Sequence, residues 1–133
     1  MTKVITFGVF DYYHLGHLRL FKRAKALGDY LIVAVQDGDS ILLTKPEAKI
    51  LYTTEERIEM IKALRVVDEV IVYKMVDDSI AKVPFDIFAI GEDQIHKGFQ
   101  KAVKWCLDNN KQVVRLPRTP GICSSNIKGT NRS

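Results

Sequence analysis

His14 and His17 are two of only three histidines in a chain of 133 residues, and Gly16 stands between them. An apolar run ends at Gly8 just before them and an amphipathic pattern begins just after, so the spacing places both imidazoles at the mouth of a helix. Free amides at a helix N-terminus favour an anion, and Gly16 lets a ligand approach the backbone closely. Each imidazole can donate a hydrogen bond to a phosphate oxygen and can carry charge beside one. The chemistry in view is therefore phosphate binding. Two rivals stand beside it: a zinc site begun by Asp11, His14 and His17, and two histidines with a structural role only. The zinc reading lacks the i, i+4 spacing of a helical pair, and His96 is the one remaining histidine.

A second segment has similar grammar. Arg118 to Lys128 places an arginine, then Gly121, then the capping hydroxyls Ser124 and Ser125 before a short apolar stretch. Read alone, it fits either an anion cradle or an ordinary capped terminal helix. Neither segment is a G-x-x-x-x-G-K-[ST] loop or a G-x-G-x-x-G turn.

These residues need a scaffold, and the periodicity supplies one. Lys3–Phe7, Tyr30–Val35, Glu69–Tyr73, Asp86–Ile90 and Gln112–Leu116 read as short strands. Between them lie a helix over Leu15–Leu27 stopped by Gly28, another opened by a Thr53–Glu56 capping box, and a third over Gln94–Asn109. Residues Gln36–Leu51 read as a long loop with about one turn of helix. Alternating strands and helices predict an α/β fold, a Rossmann-like domain with a five-stranded parallel sheet and helices on both faces. Ligands in such sheets sit at the carboxyl ends of the strands, at the switch point in strand order. The loops after strands one, two, four and five are thereby selected.

Bulk properties set the frame. The length predicts one domain spanning residues 1–133. No apolar run approaches a membrane span and no secretory leader opens the chain, so a cytoplasmic protein without membrane association is expected. Cys106 and Cys123 are expected as free thiols. The net charge of +4 is scattered among acidic residues, which fits a small polyanion and argues against nucleic acid as a partner.

The run Gly8-Val9-Phe10-Asp11-x-x-His14-x-Gly16-His17, with Arg118-Thr119-x-Gly121-Ile122-x-Ser124-Ser125, resembles the nucleotidyltransferase superfamily. Within it the likeness is to the cytidylyltransferase family, most of all the glycerol-3-phosphate cytidylyltransferase group, and covers nearly the whole chain. It extends through Ala24–Leu31, Glu56-Arg57, Val67–Ile71 and Gly91-Glu92-Asp93.

The resemblance implies transfer of CMP from CTP to a small phosphorylated alcohol, with release of pyrophosphate, in a homodimer using magnesium. It implies catalytic roles for His14, His17, Lys45 (or Lys49) and Arg118 at the phosphates. It implies nucleotide contacts for Gly8, Val9, Phe10, Asp11, Gly16, Gly91, Asp93, Thr119, Gly121, Ile122 and Ser124. Arg57, Arg65 and Asp37 are candidates for the acceptor, and no protein side chain is expected as a direct metal ligand. The sequence departs from the family pattern in places: Val9 replaces a usual threonine, Pro120 follows Thr119 where glutamate is common, and Met75–Asp77 and Gln94–His96 replace tryptophan-containing stretches, which supports nucleotide chemistry better than glycerol 3-phosphate as acceptor. An adenylyltransferase of the same superfamily and a non-catalytic nucleotide-binding module are the competing readings.

Overall fold

The computed structural model describes residues 1–11, 15–92 and 94–117. Five strands form one sheet: β1 (Lys3–Gly8), β2 (Tyr30–Gln36), β3 (Glu69–Tyr73), β4 (Ile87–Gly91) and β5 (Gln112–Leu116). All pairs are parallel, and the spatial order is β3-β2-β1-β4-β5. The chain winds outward from β1 to β3, returns to the other side of β1, and winds outward again. The switch point lies between β1 and β4.

Alternation along the strands splits the core into two layers. Ile5, Phe7, Ile32, Ala34, Phe88 and Ile90 face one side. There they meet α4 (Val76–Ser79), the 3-10 turn Ile80–Lys82 that follows it, and α5 (Lys97–Asp108). Val4, Leu31, Val33, Val35 and Ala89 face the other side and meet α1 (Leu15–Lys25) and α3 (Thr54–Lys62) through Phe21, Ala24 and Ile61. Both faces are covered, which is why β1 and β2 read as continuous apolar runs.

The predicted strands stand within a residue or so of their observed bounds, and the Thr53–Glu56 capping box forms with both reciprocal bonds. Two expectations need correction. Residues 36–51 hold a true helix, α2 (Gly38–Thr44), capped by the Asp37 carboxylate. The helix expected from Gln94 begins at Lys97, because the His96 ring caps it and Gln94 is committed elsewhere. The predicted cap at Ser124 or Ser125, Cys123, and the site candidates His14, Asp93, Arg118, Thr119, Gly121, Ile122 and Ser124 lie outside the described residues. Cys106 is a free thiol, buried, with its pKa pushed up by burial to about 11.

Candidate active site at the sheet switch point

The turn after β1 is built around a close approach. A Cβ at Gly8 would lie 2.6 Å from the Phe10 ring, so only glycine leaves room for that ring to fold back over the strand end. Phe10 adopts a left-handed backbone with φ of 55°, and packing holds it there. Its buried ring stands edge-on to Phe21 at 5.0 Å and edge-on to His17 at 5.5 Å. The β1 turn thus sets the position of the His17 imidazole in the first turn of α1. That turn also contains Gly16 and no acidic residue, so nothing there opposes an anion.

Asp11 ties this turn to the segment that follows α2. Its carboxylate accepts the main-chain N–H of Leu51 at 2.6 Å and of Tyr52 at 3.0 Å. Arg57 reaches the same junction from α3 and is fully buried. Its Nη1 donates to Val9 O at 2.9 Å and to Gln36 O at 2.8 Å. Its Nε donates to Tyr52 O at 3.3 Å and its Nη2 to Thr54 Oγ1 at 3.2 Å. Burial lowers the Arg57 pKa, and the charges of Asp11 and Asp37 work in the opposite direction.

These contacts revise two sequence readings. Arg57 uses four of its hydrogen-bond positions on this chain's own framework, so it holds the junction of β1, β2 and α3 rather than presenting a free fork to an acceptor. Asp37 caps α2 by accepting from Ser40 N at 3.3 Å, and its own N–H donates to Tyr73 O at 2.8 Å. Arg65 is not brought to the site within one chain. It follows α3 at the amino end of the sheet, near Asp68, whose carboxylate bonds the N–H of Leu31 at the start of β2.

Lys45 directly follows α2, with its N–H on Ile41 O at 2.8 Å and its side chain exposed. Its charge is felt by His96: burial first, and Lys45 second, lower the His96 pKa against the pull of Asp77. Lys49 lies farther along the same segment and is exposed.

The β4 side is a closed turn. The N–H of Gln94 donates to Gly91 O at 3.0 Å, and the N–H of Glu92 donates to Leu116 O at 3.1 Å, joining the turn to the end of β5. The side-chain amide of Gln94 accepts from Gly91 N at 3.0 Å and donates to Phe7 O at 2.8 Å. Sequence reasoning placed this segment at the nucleotide but missed this side-chain bridge. Only its Gln94–His96 departure from the family pattern marked it.

His17 and the N-terminus of α1 follow β1, and the bonded main-chain turn follows β4, so both stand at the carboxyl ends of the two strands where such sheets bind ligands in a crevice. The chain matches the model of the family described as cytidylyltransferase-like over residues 5–131. It is 40% identical to a glycerol-3-phosphate cytidylyltransferase of Bacillus subtilis (strain 168), over 96% of this chain and 95% of that one. It is 36% identical to an FAD synthase of Pyrococcus horikoshii, over 86% of this chain and 80% of that one. A solved structure, described as a lipopolysaccharide core biosynthesis protein from Thermoplasma volcanium, superposes with a TM-score of 0.71 at 27% identity. That match covers 90% of this chain and 97% of the other.

Proposed function

Since the chain belongs to the cytidylyltransferase-like family and is a nucleotidyltransferase, we propose that it transfers CMP from CTP to a small polyol phosphate such as glycerol 3-phosphate. The carrying observation is the 35–40% identity, over 96% of this chain, to relatives that bear this activity in their names, together with His17 in the first turn of the helix that follows β1. An acceptor phosphate oxygen attacks the α-phosphorus in line, the new P–O bond forms, and the bond to the β-phosphate bridging oxygen breaks to release pyrophosphate. Such transfer depends on positioning and charge stabilisation more than on a protein nucleophile.

His14 and His17 would hold triphosphate oxygens, with Lys45 and Arg118 completing the positive surround and Ser124 at the far phosphates. Gly8, Val9, Phe10, Asp11 and Gly16 would shape the phosphate wall, and Gly91, Asp93, Thr119, Gly121 and Ile122 the nucleoside wall. Magnesium would come with the nucleotide and would supply charge neutralisation at the phosphates. Among the described residues no group of three histidine, cysteine or carboxylate side chains offers it a cage of its own. We also propose one domain over residues 1–133, a homodimer, a cytoplasmic setting and a role in supplying wall or capsule polymers. No helix among the described residues is long and apolar enough to cross a membrane.

The relatives named FAD synthase reach 36–38% identity, close to the glycerol-3-phosphate group, and support adenylyl transfer as the second reading. Pyrophosphate release decides between them, with CTP or ATP offered alongside sn-glycerol 3-phosphate or FMN. Release that needs CTP and glycerol 3-phosphate is expected. Release that needs ATP and FMN would transfer the assignment to the second reading, and nucleotide binding without any turnover would point to a non-catalytic module. His17→Ala is expected to lower turnover by about 100-fold or more with a much smaller loss in nucleotide affinity, because the imidazole meets charge that develops in the transition state. Equal losses in both would remove that role.

A further inference from the structure

β1 and β4 are the neighbours at which the sheet reverses its winding, and their paired register covers only Val4–Ile87 and Ile5–Phe88. The flanking pairs run farther, β1–β2 to Gly8–Val35 and β4–β5 to Gly91–Leu116. Past Ile5 and Phe88, then, the two central strands splay, and polar main-chain groups face the gap. The Gln94 amide answers both sides, accepting from Gly91 N and donating to Phe7 O. It behaves as a detached peptide unit that supplies the rung the strands lack. Its orientation is dictated, since the reversed amide would set donor against donor and acceptor against acceptor. The bond from Gln94 N to Gly91 O closes the turn and fixes the stem of that rung.

We propose that Gln94 is a positioning residue for the nucleotide, setting the width of the crevice between its phosphate wall and its nucleoside wall. The inference rests on the reading of this crevice as the nucleotide site. The route on one side is short: Phe7 precedes Gly8, Gly8 makes room for the Phe10 ring, and that ring packs against His17. On the other side the same turn is bonded to Leu116, two residues before Arg118. Gln94 acts through these main-chain anchors, because both ends of its amide are already engaged. A change in its length or polarity moves one wall against the other. That affects a ligand spanning both walls more than one held by a single wall.

Gln94→Glu and Gln94→Met, in the full chain, test this by direct titration with magnesium CTP and magnesium ATP, followed by KM for each substrate. Glutamate keeps the acceptor for Gly91 N but sets a carboxylate oxygen against Phe7 O, whereas methionine removes both bonds at similar length. The expected result is an affinity for the preferred nucleotide weakened about tenfold in both variants, with acceptor KM changed by less than about twofold. Protonated glutamate restores the missing donor, so the Gln94→Glu deficit relative to wild type shrinks as pH falls toward the carboxyl's pKa, while that of Gln94→Met does not. Glu92 and His96 flank Gln94 in all three proteins alike, and the ratio to wild type cancels their contribution. Unchanged nucleotide affinity in both folded variants, or equal weakening of both substrates, overturns the inference while the function stands. A wild-type protein that binds neither nucleotide overturns the functional reading and this inference together.

Discussion

The two ends of the sheet meet the same physical problem with opposite signs. A parallel sheet leaves N–H groups unpaired where strands begin and carbonyls unpaired where they end. At the amino end the chain supplies carboxylates one at a time. Asp29 accepts from Thr2 N at 2.9 Å, Asp86 from Lys3 N at 2.8 Å and Asp68 from Leu31 N at 2.8 Å. At the carboxyl end it supplies side chains whose bonds are shared. Arg57 joins Val9, Gln36 and Tyr52, and Gln94 joins Phe7 to Gly91. The acidic caps sit at the surface, and Arg57 is fully buried. Independent exposed contacts suffice where strands need only an ending. Shared buried contacts appear where several loops must hold a common geometry, and the end that carries the site is the end built that way.

Removing the shared donor tests that difference most severely. Arg57→Leu leaves three carbonyls at a buried junction without their partner and is expected to cost about 3–5 kcal/mol, read as a fall in the denaturation midpoint. Arg57→Lys keeps a charge but loses the planar fork that reaches Val9 and Gln36 together, so it is expected to recover only part of the loss. If Arg57→Leu proves as mild as a single aspartate change at the amino end, the two ends do not differ in the way described.

Gly8→Ala sharpens the comparison within the site end. The added methyl meets the Phe10 ring at 2.6 Å, and that ring is already confined by Phe21 and by a left-handed backbone. Relief requires the ring to move, at a cost of about 1–3 kcal/mol. Because the ring also packs on His17, turnover is expected to fall further than the stability loss accounts for. A Gly8→Ala protein with wild-type turnover would separate the glycine from the site.

The contrast also explains what the sequence could and could not disclose. β3 and β5 were legible to the residue, and so was the Thr53–Glu56 box, because each signal is local: an apolar run with clear ends, or a hydroxyl three residues before a glutamate. α2 was hidden because glycine, aspartate, serine and threonine form its first turns, a composition equally suited to loops, and only the cap at Asp37 distinguishes them. The placement of Gly16 and His17 at the mouth of a helix was legible, since the apolar run ending at Gly8 and the amphipathic pattern after it are both local signals. Arg57 and Gln94 were misread or missed for the opposite reason. An arginine on a helix is ordinarily solvated, and nothing local says that residues 48 positions away will bury it. The Gln94 bond to Phe7 spans 87 positions and exists only after the sheet has reversed its winding.

The smallest effect is expected at the amino end, and its pH and salt dependence make it diagnostic. Asp68 is partly desolvated, which pushes its carboxyl pKa up. The hydrogen bond from Lys25, the N–H of Leu31 and the Lys25 charge together outweigh that push and hold it below the ordinary 3.8. A carboxyl depressed in the folded state stabilises the fold above its unfolded pKa and loses that contribution as pH falls through the folded value. Asp68→Asn is therefore expected to cost less than about 1 kcal/mol at neutral pH, with the difference from wild type closing below about pH 4. Added salt should narrow it as well, because the Lys25 pair is exposed enough to be screened. The Arg57→Leu loss should persist in the same salt, since its partners are carbonyls at a buried junction. A salt-insensitive Asp68 effect of several kcal/mol would mean that the amino end, too, is held by a buried shared contact.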